Sequence, residues 1–120
     1  MTVNEVACRC GFEVVCGAGS LGREVRGGYA SDMLSDVLAH AAPGSIWVTL
    51  QTHANIVAVA AMREQAAIVL VRGRRPEPDT VAKANAIDMP ILASRLPAFD
   101  TVVLLSSLGL AGTAGDGAGV

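Results

Sequence analysis

Aromatic residues are scarce in this sequence: two Phe, one Tyr and one Trp make up 3% of 120 residues. Its core must therefore be built from Val, Ile, Leu and Ala. Charge is scarce too, at 17%, against 52% hydrophobic residues. A chain that apolar is not disordered and points to a compact fold with much internal or subunit-interface surface. No run of Lys or Arg exceeds the Arg74-Arg75 pair, and the formal net charge is −2. A surface that tracks nucleic-acid phosphates is therefore not expected. The longest apolar stretch, residues 56–62, falls far short of the ~20 residues of a membrane span. Residues 1–16 carry Asn4, Glu5, Arg9 and Glu13 and lack the apolar segment of a secretory leader, so the cytoplasm is the expected compartment.

Cysteine is limited to Cys8, Cys10 and Cys16. An odd number gives no disulfide framework, and a closed zinc site needs four ligands. The three read as small buried hydrophobes, with no metal expected. No G-x-x-x-x-G-K-[ST] phosphate loop and no G-x-S-x-G nucleophile elbow occurs. Gly17, Gly19 and Gly22 do match the G-x-G-x-x-G spacing of a dinucleotide-binding turn. That turn must lead into a helix whose free N–H groups hold the pyrophosphate. Here it leads to Gly27 and Gly28, which cost roughly 1 kcal/mol each in a helix relative to Ala. The glycines therefore read as tight bends, and no cofactor is expected.

What is present is an alternation of elements. Thr2 and Glu5 have capping-box spacing ahead of a first helix that runs to about Arg9 and stops at Gly11. Residues 12–16 and 24–30 read as extended. From Asp32, helical spacing puts Met33, Leu34, Val37, Leu38 and Ala41 on one face, with Asp36 and His40 on the other. Residues 45–50 form the strongest strand, and residues 56–64 a helix apolar nearly all round, which needs cover on more than one side. Residues 67–71 have the continuous apolar character of a buried parallel strand. A helix over residues 79–87 with Asp79 as N-cap, a strand over 90–93 and a helix over 97–108 follow. That last helix would pack through Phe99, Val102, Val103 and Leu105. The alternation predicts an α/β fold, a single layered domain with a mostly parallel sheet of four to five short strands flanked by helices. The domain spans residues 1–110, and glycine-rich residues 111–120 form a flexible tail.

The stretches LGREVRGGYASDMLSDVLAHA, GSIWVTLQTHANIVAVA, AAIVLVRGRRP and MPILASRLPAFDTVVLLSSLGL resemble stand-alone DRTGG-domain proteins over about residues 3–110. The motif, aspartate-arginine-x-x-threonine-glycine-glycine, is matched at Arg23, Gly27 and Gly28; Gly22 stands for the aspartate and Arg26 for the threonine. The resemblance implies a regulatory or dimer-forming element of the kind found beside CBS domains in regulated pyrophosphatases. Without a phosphate loop, no kinase activity is carried over.

Two functions follow, neither catalytic. The first is a regulatory module working as a homodimer, suggested by the apolar helix 56–64 and the Val/Leu-rich last helix. The second is a ligand site at the carboxyl ends of the parallel strands, where open α/β sheets bind small molecules. Its candidates are Ser31, Asp32, Thr49, Gln51, Thr52, His53, Asn55, Arg72 and Arg74. Two arginines beside a helix N-terminus suit an anion such as a nucleotide phosphate. The bland alternative is that Thr52 or Asn55 only caps the helix. A protein–protein adaptor without a ligand is the other reading, and an enzyme with His53 as base, oriented by Asp32 or Asp36, is the outsider.

Overall fold

The Thr2 hydroxyl accepts from the Glu5 N–H at 3.2 Å, and the Glu5 carboxylate accepts from the Thr2 N–H at 2.9 Å. This reciprocal cap starts α1 (Val3–Cys10), and Gly11 ends it in a left-handed turn. In the computed structural model, which describes residues 1–113, there follow β1 (Glu13–Cys16), β2 (Gly27–Ala30), α2 (Leu34–His40), β3 (Ser45–Thr49), α3 (Asn55–Met62), β4 (Ala67–Leu70), α4 (Pro78–Ile87), β5 (Ile91–Ala93) and α5 (Ala98–Ser107).

The five strands form one sheet in the order β1-β5-β4-β3-β2. Strands β2 to β5 are mutually parallel, and β1 joins β5 antiparallel at the edge. The mostly parallel α/β sheet expected from the alternation is thus what forms. Register sets the two faces. The row Tyr29, Trp47, Ile68, Ile91 faces α2, α3 and α4, while the row Ala30, Val48, Val69, Leu92 faces α1 and α5. Covered on both sides, β3 and β4 are buried at every position, which is why β4 reads as an unbroken apolar run. Each fully buried large side chain, Trp47 and Ile68 among them, contributes roughly 1.5–3 kcal/mol.

Several expectations change in three dimensions. The apolar α3 finds its cover within the chain, since Ile56, Val57, Val59 and Ala60 are buried between the sheet, α2 and α4. In α5 only Thr101 and Leu105 are buried; Phe99, Val102 and Val103, expected in the core, are solvent-exposed. The reason is local. The Thr101 hydroxyl bonds Ser94 Oγ at 2.8 Å, which turns the 101/105 stripe inward and the 99/102/103 stripe out. Met33 is likewise exposed, because the helix begins after it. Glu77, not Asp79, occupies the N-cap of α4; Pro78 follows, with its fixed φ suited to the first helical position, and Asp79 sits in the first turn. Of the cysteines only Cys16 is buried. Cys10 is half-buried and Cys8 exposed, because α1 packs through Val3, Val6 and Ala7.

The glycine-rich stretch makes a close approach. Gly17 has φ +71°, and a Cβ there would lie 1.9 Å from the Met89 carbonyl oxygen. A three-residue 3₁₀ turn, Ala18–Ser20, follows it in place of the helix that a dinucleotide-binding turn leads into. At the other edge, the Gly28 N–H donates to the Ala111 carbonyl and the Thr113 N–H to the Gly28 carbonyl. Residues 114–120 of the expected tail lie outside the described residues.

Candidate functional site at the carboxyl edge of the sheet

Four parallel strands end on one side, and the nine candidate residues all follow β2, β3 or β4 or lie at the β3 terminus. At the end of β2 and β3 the polar groups turn to one another. Asp32 Oδ1 accepts from the Thr49 hydroxyl at 2.8 Å and from the Leu50 N–H at 2.7 Å. The Gln51 amide donates to the Asp32 carbonyl, and the Thr49 hydroxyl accepts from the Gln51 N–H. The Ser31 hydroxyl accepts from the Met33 N–H, while the Ser31 carbonyl takes the indole N–H of buried Trp47 at 2.9 Å. Ser31, Asp32, Thr49 and Gln51 are therefore brought together, and their hydrogen bonds tie two loops to each other.

In the next loop neither Thr52 nor Asn55 caps α3. Ala54 holds the N-cap position without a side-chain bond, and His53 Nδ1 accepts from the Asn55 N–H at 3.2 Å. The Thr52 carbonyl accepts from the Glu77 N–H and from the buried Thr80 hydroxyl, which ties this loop to α4. His53 bonds to neither carboxylate proposed to orient it. Asp32 is held by Thr49 and Leu50. Asp36 binds the Tyr29 hydroxyl at 2.7 Å and His40 Nδ1 at 3.2 Å. The Tyr29 bond holds Asp36 below the usual carboxylate range, and partial burial together with Asp36 pushes the Tyr29 phenol up to about 12.

The ends of β4 and β5 are different. The Arg72 N–H donates to the Leu96 carbonyl at 2.8 Å, and the Gly73 N–H to the Ser94 carbonyl at 2.7 Å. Two loops are thereby locked side by side, with Arg72 held at φ +58°, an uncommon conformation for a residue with a side chain. The locked pair carries Arg72 and Arg74, and also Arg75 and Arg95, so four of the eight arginines lie on two loops. All four are exposed. Arg75 makes a two-pronged bond to Glu13 of β1 at 2.8 and 2.9 Å. That bond, with the field of Arg95 adding to it, holds the Glu13 carboxyl below its ordinary value. Among the described residues the guanidiniums of Arg72, Arg74 and Arg95 have no ion-pair partner. A cleft of about 500 Å³ opens between Gly11, Glu13, Gly73, Arg75 and Arg95. Sequence reading missed Arg75 and Arg95. Arg75 was legible beside Arg74, but Arg95 joins the group only because β5 lies next to β4 in the sheet.

No protein-family model matches this chain, and no curated protein matches it by sequence. Among solved structures it resembles the CBS and DRTGG domains of the regulatory region of Clostridium perfringens pyrophosphatase, complexed with activator, diadenosine tetraphosphate. The TM-score is 0.65 at 13% identity, over 87% of this chain. The chain spans 45% of that structure, less than half its length. At that identity the likeness establishes the fold, and the fold accords with the DRTGG resemblance carried by Arg23, Gly27 and Gly28: the chain has the α/β architecture found in a pyrophosphatase's regulatory region.

Proposed function

We propose that this chain is a non-catalytic, cytoplasmic regulatory module that works as a homodimer and senses a phosphorylated small molecule at the carboxyl edge of its sheet. The observation that carries the reading is the set of four arginines on two loops locked by paired backbone bonds. Such an array suits phosphate oxygens, because a guanidinium can donate two parallel hydrogen bonds to an anion and keeps its charge at every physiological pH. His53, Thr52 and Asn55 border the same edge, and Ser31, Asp32, Thr49 and Gln51 brace the β2–β3 half beside it. The neighbouring structure, solved with a nucleotide activator, supports the ligand class.

The homodimer reading is supported by α5. Phe99, Val102, Val103 and Ser106 recur at helical spacing on one exposed stripe, and Asp100 is the only charged residue of the helix. Exposed apolar stripes of this kind mark interaction surfaces. The same stripe favours the second reading, an adaptor that binds another protein.

A thermal-shift series with inorganic phosphate, ADP, ATP and diadenosine tetraphosphate tests the ligand. Ligand at 100 times its dissociation constant adds about 2.7 kcal/mol, several degrees for a domain this size. Absence of any shift across the series removes the sensing role and leaves the adaptor. Sedimentation at tens of micromolar tests the dimer: the wild type is expected to run as a dimer and Phe99→Asp as a monomer. A monomeric wild type removes the homodimer.

A further inference from the structure

A second cleft, of about 660 Å³, opens at the opposite end of the sheet, where β2, β3 and β4 begin. Its volume is in the range of small-molecule sites. It is built from the stretch that carries the glycine motif. The Arg26 N–H donates to the Gly44 carbonyl at 2.9 Å, and the Arg26 stem lies against Gly44, where a Cβ would come within 2.9 Å of it. Arg23 Nη1 donates to the Gln65 carbonyl at 3.2 Å. Gln65 is itself fully buried, and its amide donates to the Ala42 and Arg63 carbonyls, both at 3.0 Å. Those two bonds determine which way the amide faces. They leave Gln65 Oε1 buried with no donor among the described residues, a situation that native interiors avoid unless something else meets the group.

The cleft's chemistry is of mixed sign. Arg23 and Arg26 supply guanidiniums, of which Arg26 has no side-chain partner among the described residues. Glu64, exposed and at φ +50°, supplies a carboxylate. Glu24 also lines the cleft but accepts from the Met1 ammonium at 2.8 Å. Pro43, Ala61, Ile87 and Met89 add an apolar wall. A polyanion would meet Glu64 unfavourably, whereas a ligand carrying both charges and an apolar group matches all three features.

We propose that this cleft binds a free α-amino acid with an apolar side chain. Its carboxylate goes to Arg23 and Arg26, its ammonium to Glu64, and its side chain to the wall of Ala61 and Ile87. The proposal does not rest on the phosphate reading, because the two sites lie at opposite ends of the strands and share no residue.

The test is a thermal-shift screen of the full chain against each of the twenty amino acids at about 10 mM, a concentration that reveals even millimolar binding. Backbone amide shifts are followed by NMR in parallel. The expected result is a raised midpoint with Leu, Met or Val and not with Asp or Glu, with amide shifts at Gly44, Ala61 and Gln65. Arg26→Ala should weaken this binding about tenfold, the equivalent of one charged hydrogen bond. Ala61→Trp, which fills the cleft from an exposed position, should abolish it, and Arg74→Ala should leave it intact. No response to any amino acid overturns the proposal, as does a response that survives both cleft variants. A phosphate ester that perturbs these amides when no amino acid does also overturns it.

Discussion

The two halves of the sheet's carboxyl edge begin from similar material and use it in opposite ways. At β2 and β3 the Asp32 carboxylate, the Thr49 hydroxyl and the Gln51 amide are taken up by bonds between two loops, and the Ser31 hydroxyl by one within its own. At β4 and β5 the backbone alone locks the loops, and the charged side chains are left outward. A polar residue at a strand end is therefore evidence of a site only after its hydrogen bonds have been counted. Asp32 and Thr49 join their loops; Arg72, Arg74 and Arg95 retain most of their donors.

Mutations can break this contrast. The largest effect is expected at Asp32. Asp32→Ala removes an acceptor from the Leu50 N–H and from the buried Thr49 hydroxyl, and should cost about 1.5–3 kcal/mol in urea unfolding. Its response to phosphate compounds should stay as in the wild type. If the variant unfolds at the wild-type midpoint, the two halves do not differ in the way described. The converse is expected at the arginines. Arg74→Ala and Arg95→Ala should each keep stability within about 0.5 kcal/mol of the wild type. Each should weaken ATP or diadenosine tetraphosphate binding about tenfold in a calorimetric titration.

Two smaller effects sharpen the comparison through pH. Tyr29 is the only tyrosine, so its phenolate absorbance reports one group. Burial and Asp36 raise its folded value from 10.0 to about 12. The stability it contributes is thus present below pH 10 and fades as pH rises toward 12. Asp36→Asn should bring the titration back toward the ordinary tyrosine value. Glu13 has the opposite sign: Arg75 lowers its pKa, so its contribution is present above the ordinary carboxylate range and is lost as the solution is acidified. Glu13→Gln should remove that part of the acid sensitivity, seen in urea midpoints followed from neutral pH downward. It should also release Arg75, strengthening phosphate binding at the β4–β5 half while leaving the β2–β3 half unchanged.

Much of the fold is legible in the sequence, and the site only partly. Arg72 and Arg74 stood out because they follow an apolar strand, but their companions Arg75 and Arg95 join them through the pairing of β4 with β5. Glu13 meets Arg75 because β1, early in the chain, adds antiparallel to β5 at the far edge. Nothing in residues 12–16 signals that partner. The α5 stripe misled for a related reason: periodicity shows that Phe99, Val102 and Val103 share a face, but not which way that face points. The buried hydroxyl pair of Ser94 and Thr101 settles it.

By itself, then, the sequence determined the capping box of α1, the positions of the five strands and five helices within a few residues, and the aliphatic core. These depend on hydrogen bonds and side-chain periods spanning only a few positions. The tertiary structure decided which polar groups are consumed and which face solvent. Asp32 meets Thr49 across 17 positions, Arg23 meets Gln65 across 42, and Glu13 meets Arg75 across 62. Contacts at such separations are set by strand order and by which face of each helix the sheet buries.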